Sequence, residues 1–400
     1  MLKKYQVSCL VNCGIPRRCL MKRFNVLLSI LLIIVAMAIV PGCDSGSLGG
    51  GSNSRDTDGG SDGDGTGPVK LLFTGDVMLA RNVANLVYEK NGGDYSWPFL
   101  KIADFLNDAD LTISNLEGPI SDKGDKYLKS APWFRAEPEA VNGLNYAGID
   151  IVSLANNHIF DYGREAMEDC FGQLDRAGIR YMGAGMTRDE AYAPVIVNIN
   201  GLKIAFLAFT NHGDASWQAE VDYYTTFEEL VAQVPLIGDL FLQTQVLDHL
   251  MNMPIPVTEE SSGVAWLYIK QLERAIYKAR EEADIVIVSL HFGEEYAETI
   301  SSAQDRYAHL AIDRGADMVV GHHPHVTQPI MVYMGKVIAY SLGNFVFDQR
   351  ESYESGTTTG LVLEVNIEDK KIQNVEGHYT KIIEEEWQTQ LTPFEYGDLD

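Results

Sequence analysis

The chain has little cysteine outside its first 43 residues. Of its five cysteines, Cys9, Cys13, Cys19 and Cys43 lie in that segment, which leaves Cys170 alone in the remainder. A single thiol cannot form an intrachain disulfide, and its isolation excludes a cysteine-rich zinc site. Any metal held by the remainder therefore depends on histidine, aspartate, glutamate and asparagine.

Positive charge is also scarce. The sequence has 31 lysines and arginines against 56 acidic residues, a net charge of −25, and six of the basic residues lie within the first 43 positions. Nucleic acids bind to basic surfaces, so this balance argues against a nucleic-acid partner. An anionic polymer would be repelled at long range, and its binding would require local cations or a metal.

An apolar run at Val26–Val40 follows the basic Met21-Lys22-Arg23 and precedes Pro41-Gly42-Cys43. This pattern is typical of a secretory lipoprotein leader over residues 1–43, with Met21 as the true start and Cys43 as the lipidated residue. An uncleaved N-terminal membrane anchor is the alternative interpretation. Both predict that the rest of the chain lies outside the cytoplasm, tethered to the cell membrane.

The sequence after the leader divides into a linker and a folded domain. Residues 44–68 are dominated by glycine, serine and aspartate, which predicts a flexible linker. Residues 69–400 are predicted to form one domain. Residues 214–262 break its rhythm, and we interpret them as an insertion that covers or borders a site.

Short β-type runs alternate with helical patterns from Val69 onward, which predicts a layered α/β fold. Two hairpins interrupt the alternation, because Asn200-Gly201 and Met334-Gly335 are turn signals between apolar runs. They favour a mixed sheet, or two sheets face to face, over a single parallel sheet. The predicted strands are Val69–Thr74, Asp110–Ser114, Asp150–Leu154, Ile285–Leu290 and Met318–Val320, and the predicted helices are Arg164–Ala177, Val264–Glu282 and Ala303–Arg314.

A polar cluster follows each of the five predicted strands. Because the carboxyl ends of strands line the ligand crevice in layered α/β folds, the five clusters are expected to converge. They are Gly75-Asp76, Asn115-Leu116-Glu117, Asn156-Asn157-His158, His291-Phe292-Gly293 and Gly321-His322-His323-Pro324-His325.

These side chains are too many for one tetrahedral ion, and they suit two adjacent divalent ions of Mn, Fe, Zn or Ni. Such a pair activates water and clamps both oxygens of a displacement. His158 directly follows Asn157, a position that suits a general acid for the leaving group. Asp161, three residues further on, is placed to orient it.

At these residues the sequence resembles the capsule or poly-γ-glutamate biosynthesis proteins of the CapA/PgsA type, a bacterial branch of the calcineurin-like metallophosphoesterases. The likeness spans roughly Lys70 to Gln349. Within this range it includes Gly75–Arg81, Leu154–Gly163, Ser289–Tyr296 and the run Tyr340-Ser341-Leu342-Gly343-Asn344-Phe345. The resemblance implies a four-layer α/β/β/α sandwich with two facing mixed sheets.

The resemblance also implies roles for matching residues. His158 is similar to the catalytic histidine, while His322 is an extra beside the family's His-Pro-His pair. The metal ligands implied are Asp76, Asn157, His291, His323 and His325, with Glu117 as the nearest candidate for the bridging carboxylate.

The chain departs from ordinary phosphoesterases at two positions. Met78 stands where the Gly-Asp-x-His motif has a nitrogen ligand, and Glu117 replaces a bridging aspartate. Both departures follow the capsule-type branch. They are compatible with a centre that holds one metal tightly and a second weakly.

Three further residues are predicted to bind substrate: Arg81, Asn115 and Asn156. Arg81 follows Asp76 by about one helical turn and is placed to reach an anionic group, with a surface ion pair as the equal alternative. One of Glu294 and Glu295 is predicted either to support a metal-bound imidazole or simply to be solvated.

Together these features predict a membrane-tethered, extracytoplasmic metallohydrolase-fold protein that acts in the synthesis, export or anchoring of an anionic envelope polymer, poly-γ-glutamate or a capsule. Its expected partners are this polymer or its synthase complex. One alternative is a non-catalytic accessory subunit of that complex. The other is a general envelope phosphodiesterase or nucleotidase.

Overall fold

The computed structural model of the protein describes residues 67–126, 132–212 and 262–392. The predicted leader with Cys43, almost all of the predicted linker and almost all of the predicted insertion lie outside these ranges. Among the described residues there is no helix long and apolar enough to cross a membrane.

The first sheet is mixed and runs in the order β16-β15-β14-β1-β2-β3-β4, with β13 also pairing with β1. Strands β1 to β4 are parallel neighbours, whereas β14, β15 and β16 pair antiparallel. The strands are β1 Val69–Val77, β2 Leu111–Leu116, β3 Ile149–Ser153, β4 Arg180–Met182, β13 Asn344–Val346, β14 Thr359–Glu368, β15 Lys371–Ile383 and β16 Gln388–Leu391.

The second sheet runs in the order β11-β12-β10-β9-β7-β6 and is also mixed. Its two hairpins turn at the predicted positions: Asn200 and Gly201 have φ of 52° and 79°, and Met334 and Gly335 have 51° and 77°. Positive φ at both central residues gives a turn whose twist matches the flanking strands. The strands are β6 Val195–Ile199, β7 Leu202–Thr210, β9 Ile285–His291, β10 Met318–His322, β11 Ile330–Tyr333 and β12 Lys336–Ala339.

The helices of the described residues begin and end at recognisable signals. Helix α7 starts after a capping box made by Ser301 and Gln304, and α4 ends at Gly178, whose φ is 75°. The helices are α1 Arg81–Asn91, α2 Ala103–Leu106, α3 Ala140–Tyr146, α4 Gly163–Ala177, α5 Arg188–Ala191, α6 Ile269–Glu282 and α7 Ser302–Asp313, with a 3-10 turn at Trp97–Phe99.

The predicted helix Val264–Glu282 is wrong at its N-terminus. Gly263–Val264 form a short strand, β8, that pairs antiparallel with β5 at Ala184–Gly185. The amide of Ala265 then donates to the carbonyl of Gly183 over 2.8 Å. These long-range backbone bonds hold the segment extended, so the helix begins only at Ile269.

Three apolar clusters define the layers. One lies between the two sheets and contains Leu71 and Phe73 of β1 with Ile287 of β9. A second packs the first sheet against helices α1, α3 and α4, and a third packs the second sheet against α6 and α7. Burial on both faces of each sheet gives an α/β/β/α sandwich, which confirms the predicted fold class.

Candidate metal centre

The carboxyl ends of strands from both sheets meet at one edge of the sandwich. Pairing of β1 with β2 aligns Asp76 with Asn115, and pairing of β9 with β10 aligns His291 with His322. The two sheets are joined where Nδ1 of His322 lies 3.2 Å from Oδ1 of Asp76. The structure thus brings the polar clusters of five strand ends into one buried group.

Asp76 lies at the centre of this group and is fully buried. Nδ2 of Asn115 donates to its Oδ1 over 2.8 Å, and Nδ1 of His325 lies 3.4 Å from its Oδ2. Burial by itself raises the pKa of Asp76, but the neighbouring imidazoles of His322 and His325 outweigh it and hold the pKa well below the usual range. The carboxylate is therefore ionised and available to a cation.

Glu117 is buried in a different way. Neither of its carboxylate oxygens has a hydrogen-bond partner among the described residues. Nε2 of His325 lies 3.6 Å from Oε1 and Nε2 of His158 lies 3.8 Å from it. Burial raises the pKa of Glu117 well above its usual value, and the charges of Asp76 and Glu295 add to this against the effect of His325. A buried carboxylate without donors is costly, and a bound cation would remove that cost.

Asn157 and His291 point at one position. Nε2 of His291 lies 2.8 Å from Oδ1 of Asn157. This is close to the separation of two ligands of one cation, since metal–nitrogen and metal–oxygen bonds are about 2.0–2.2 Å long. Burial, followed by the neighbouring His323, holds the pKa of His291 well below its usual value. The ring is neutral, as a metal ligand must be.

The His323-Pro324-His325 turn is strained. His323 has φ of 100° and His325 has φ of 60°, both in the left-handed region that non-glycine residues avoid. Such residues cost on the order of 1–3 kcal/mol each and concentrate at functional sites. Burial holds the pKa of His323 well below its usual value, and its Nδ1 has no hydrogen-bond partner within the described ranges.

His325 is oriented by Asn344, whose Oδ1 lies 2.9 Å from its Nδ1. Nδ2 of Asn344 donates to Oε1 of Gln349 and to the carbonyl of Thr357, so Oδ1 is the atom that faces the imidazole. Nδ1 then carries a proton, and Nε2 faces Glu117. Burial lowers the pKa of His325, but Glu117 and Asp76 outweigh burial and raise the pKa to about 9.

His158 and Asp161 form a pair beside this group. Nδ1 of His158 lies 2.7 Å from Oδ2 of Asp161, which also accepts the amide hydrogen of Phe134 over 2.6 Å. The ring of Phe134 stacks on the imidazole with centroids 3.8 Å apart. The carboxylate and the aromatic ring together hold Nε2 of His158 toward Glu117.

Arg81 lies next to this pair. Its Nε is 3.3 Å from Oδ2 of the buried Asp348, and its guanidinium carbon lies 5.4 Å from the centre of the Phe134 ring. The ion pair and the position near the crevice, which the sequence left as alternatives, therefore occur together. The side chain of Arg81 is 39% exposed, so it also remains accessible to a ligand.

Asn115 and Asn156 are buried, and their side-chain amides form hydrogen bonds within the protein. Nδ2 of Asn156 donates to Oδ1 of Asn115 and to the carbonyl of Leu116, while its Oδ1 accepts from the amide of His158. Nδ2 of Asn115 donates to Asp76. These bonds favour a role in positioning the site over the predicted contact with substrate.

The sequence analysis missed His212, which follows strand β7. Its ring stacks on His323 with centroids 3.8 Å apart, and its Nε2 is buried without a hydrogen-bond partner in the part of the chain that the structure describes. Burial lowers the pKa of His212. The pattern Phe209-Thr210-Asn211-His212, an apolar strand ending in polar residues, is the signal that could have identified it.

Met78 takes no part in the group. Its side chain is fully buried in the apolar cluster between the first sheet and its helices, and its Sδ accepts the amide hydrogen of Ala80 over 3.1 Å. Its sulfur is therefore engaged outside the site.

The residues present suit divalent metal ions. There are two groups of three side chains, and within each group the potential ligand atoms lie within 4.8 Å of one another. Their chemistry of carboxylate and imidazole fits Mn, Fe, Zn or Ni, and a cation would compensate the unpartnered carboxylate of Glu117. One group is Asp76, Glu117 and His325, and the other is Glu295, His323 and His325.

Fold and site together define an α/β/β/α sandwich protein with a candidate divalent-metal centre at the carboxyl ends of its strands. Residues 70–349 match the family described as bacterial capsule synthesis protein PGA_cap. The chain belongs to this family, which confirms the resemblance inferred from its motifs.

Two curated relatives are similar over 70% of this chain. The capsule biosynthesis protein CapA of Bacillus anthracis is 32% identical over 284 residues, and the PGA biosynthesis protein CapA of Bacillus subtilis (strain 168) is 31% identical over 283 residues. The similar regions cover 60% and 64% of those proteins, so the chain spans less than two thirds of their length.

Solved structures are also similar to this chain. The calcineurin-like phosphoesterase YfkN from Bacillus subtilis is 16% identical, with 78% of this chain and 90% of that chain covered at a TM-score of 0.42.

Proposed function

We propose that this protein is a metal-dependent hydrolase that acts in the synthesis, export or anchoring of an anionic envelope polymer, poly-γ-glutamate or capsule. The observation that carries the proposal is Glu117, whose buried carboxylate lacks donors within the described ranges and faces two imidazoles. The polymer class is supported by membership of the capsule synthesis family and by the names of the two relatives.

The residues proposed to hold the metals are Asp76, Glu117, Asn157, His291, His323 and His325. Divalent ions bound there would lower the pKa of a water molecule and polarise the bond to be cleaved, a phosphoester or an amide-like linkage. The protein contributes neutral imidazoles at His291 and His323, because burial lowers the pKa of both and disfavours their cationic forms.

His158 is proposed to give a proton to the leaving group from Nε2. Its Nδ1 is bound to Asp161, so the ring is held in one orientation and the charge of its protonated form is balanced by a carboxylate. Stacking on Phe134 removes water from one face of the ring. Proton transfer is thereby directed into the crevice.

Arg81 is proposed to bind an anionic group of the substrate. The chain carries a net charge of −25, which repels an acidic polymer, so local positive charge is needed at the crevice. Asp348 balances part of the charge of Arg81 through their ion pair. Because the Arg81 side chain is partly exposed, its remaining N–H donors are accessible to a ligand.

We further propose that the protein is anchored outside the cytoplasm by lipid attached to Cys43. The support is the basic, apolar and Pro-Gly-Cys pattern that ends there. Mass spectrometry of the protein from membranes is expected to show a lipidated N-terminal cysteine. Retention of the leader in the purified protein would contradict this.

The function is tested by metal content and hydrolysis together. Elemental analysis of the purified full-length chain is expected to find divalent metal, and Glu117→Gln is expected to reduce it. Hydrolysis of a γ-glutamyl polymer and of bis-p-nitrophenyl phosphate is then compared with and without Mn²⁺. Protein that carries no metal under any supplementation would refute the proposal.

A non-catalytic role in a polymer synthase complex is the second candidate, and Met78 favours it because this residue gives the site no nitrogen. The discriminating variant is His323→Ala in producing cells. Loss of polymer at unchanged protein level and complex assembly supports chemistry, whereas full polymer production supports the accessory role. A general envelope phosphodiesterase would instead hydrolyse nucleotides in the Mn²⁺ screen.

A further inference from the structure

The loop after strand β9 brings a third carboxylate to the metal centre. Glu295 offers an oxygen that lies within 4.8 Å of ligand nitrogens of His323 and His325. The other group, formed by the fully buried Asp76, Glu117 and His325, has only His325 in common with the group that contains Glu295. Glu295 is exposed while the two histidines are buried, so this second group lies at the solvent side of the centre.

The position of Glu295 is set by the backbone on both sides of it. The amide of Tyr296 donates to the carbonyl of Pro324 over 2.8 Å, which ties the loop to the turn between the two histidines. Tyr296 has φ of 64° and Gly293 has φ of 105°, and a Cβ at Gly293 would lie 2.6 Å from Gln304. The loop is thus held against the His323-Pro324-His325 turn before any ligand binds.

His323 has a ring nitrogen available for an ion. Nδ1 of His323 is buried without a hydrogen-bond partner among the described residues, and Nδ1 of His325 is occupied by Asn344. Mixed imidazole and carboxylate ligands prefer Mn, Fe, Zn or Ni over Ca and Mg.

We infer that Glu295 is a direct metal ligand and that, with His323, it forms an outer cation position next to the buried one, whose ion takes the free nitrogen of His325. The inference rests on the proposed metal dependence. Because the outer position is open to solvent and has fewer buried carboxylates, it binds its ion more weakly and exchanges it faster than the inner position.

The test is Mn²⁺ titration of the metal-free full-length chain by calorimetry, with elemental analysis of the saturated protein. The wild-type chain is expected to bind two equivalents with two affinities. Glu295→Gln is expected to keep the tight equivalent and to weaken the other at least about 10-fold. Glu294→Gln is the matched control, since that neighbouring exposed glutamate belongs to neither ligand group, and it is expected to bind like the wild type.

Each other outcome is decisive. Two unchanged affinities in Glu295→Gln would overturn the outer position while leaving the proposed function intact. Loss of both equivalents would also overturn it, because the inner group does not include Glu295. A wild-type chain that binds no Mn²⁺ would end this inference and the proposed function together. Glu295→Asp, which keeps a carboxylate, is expected to recover part of the weaker binding, and the melting temperatures of the metal-free variants verify their folding.

Discussion

Two glutamates of this protein have opposite surroundings. Glu351, in the turn of residues 350–358, accepts hydrogen bonds from the amide of Gly356 and from the hydroxyls of Ser355 and Thr358. These bonds, led by that of Thr358, lower the pKa of Glu351 to about 2. Glu117 has no such donor among the described residues, and its pKa is raised instead.

The difference separates a carboxylate satisfied by the protein from one that is proposed to bind a cation. Protein donors satisfy Glu351, so it stabilises the turn in every state of the protein. Leaving a buried polar group unsatisfied costs about 1–3 kcal/mol, and more for a charge. In the proposed metal centre, a cation would replace the donors that Glu117 lacks.

The largest expected effect comes from removing the metals. Saturating Mn²⁺ is expected to raise the melting temperature of the chelated protein, because an ion at about 100 times its Kd adds about 2.7 kcal/mol. Chelation is also expected to abolish hydrolysis. Thermal unfolding with and without Mn²⁺ measures the shift.

Glu117→Gln tests whether this carboxylate binds the ion, since the variant is expected to lose most of the Mn²⁺-dependent rise in melting temperature. Glu351→Gln is the control and is expected to keep it. An equal shift in both variants would mean that the buried carboxylate takes no part in binding the ion.

His158→Ala is expected to lower turnover by about 10²–10⁴-fold, the usual contribution of a general acid. Metal content is expected to remain, because His158 belongs to neither group of ligand atoms. Steady-state kinetics with elemental analysis separate the two effects. His309→Ala, on the partly exposed face of helix α7, is the control. Unchanged turnover in His158→Ala would remove the assigned role.

Asp161→Asn is expected to reduce turnover by about 10–100-fold, the range for partners that orient a functional histidine. The loss is smaller than in His158→Ala because the proton donor is still present. If the variant lost as much as His158→Ala while keeping its metal and its melting temperature, Asp161 would do more than orient the ring.

Glu351→Gln tests the other region and has the smallest expected effect. Its folded pKa of about 2 lies below the usual 4.5, so its stabilisation is complete above pH 4.5 and is lost as the pH falls toward 2. The side chain is 42% exposed, so solvent screening limits the expected loss at pH 7 to about 0.5–1 kcal/mol. Urea unfolding at pH 7 and pH 3 measures it.

Glu354→Gln, in the same turn, is the control for that experiment and is expected to unfold like the wild type at both values of pH. A deficit in Glu351→Gln that grew toward low pH would contradict the assigned sign, since the protonated wild-type side chain resembles glutamine.

Much of the site could be predicted because it follows local patterns. Each predicted parallel strand ended in polar residues, and parallel strands deliver such residues to a common edge. His291 and Asn157 are 134 positions apart, yet both were identifiable from the runs that precede them. The Asn200-Gly201 hairpin was predicted for a similar reason, because its turn requires positive φ at two successive residues.

Other features had no local signal. Strands β14 and β15 were not predicted, although β14 pairs with β1 and completes the first sheet. The start of helix α6 was misplaced because Val264 pairs with Ala184. Glu294 and Glu295 cannot be told apart from the sequence, and only the structure places an oxygen of Glu295 near His323 and His325.

The sequence alone determined the layered α/β class and the family, and it indicated most of the candidate metal-binding residues, because periodicity, turn chemistry and side-chain type are local properties of the chain. Only the tertiary structure decided which of those side chains are left without donors and which are satisfied. That distinction depends on burial and on partners tens or hundreds of residues away, as the contrast between Glu117 and Glu351 shows.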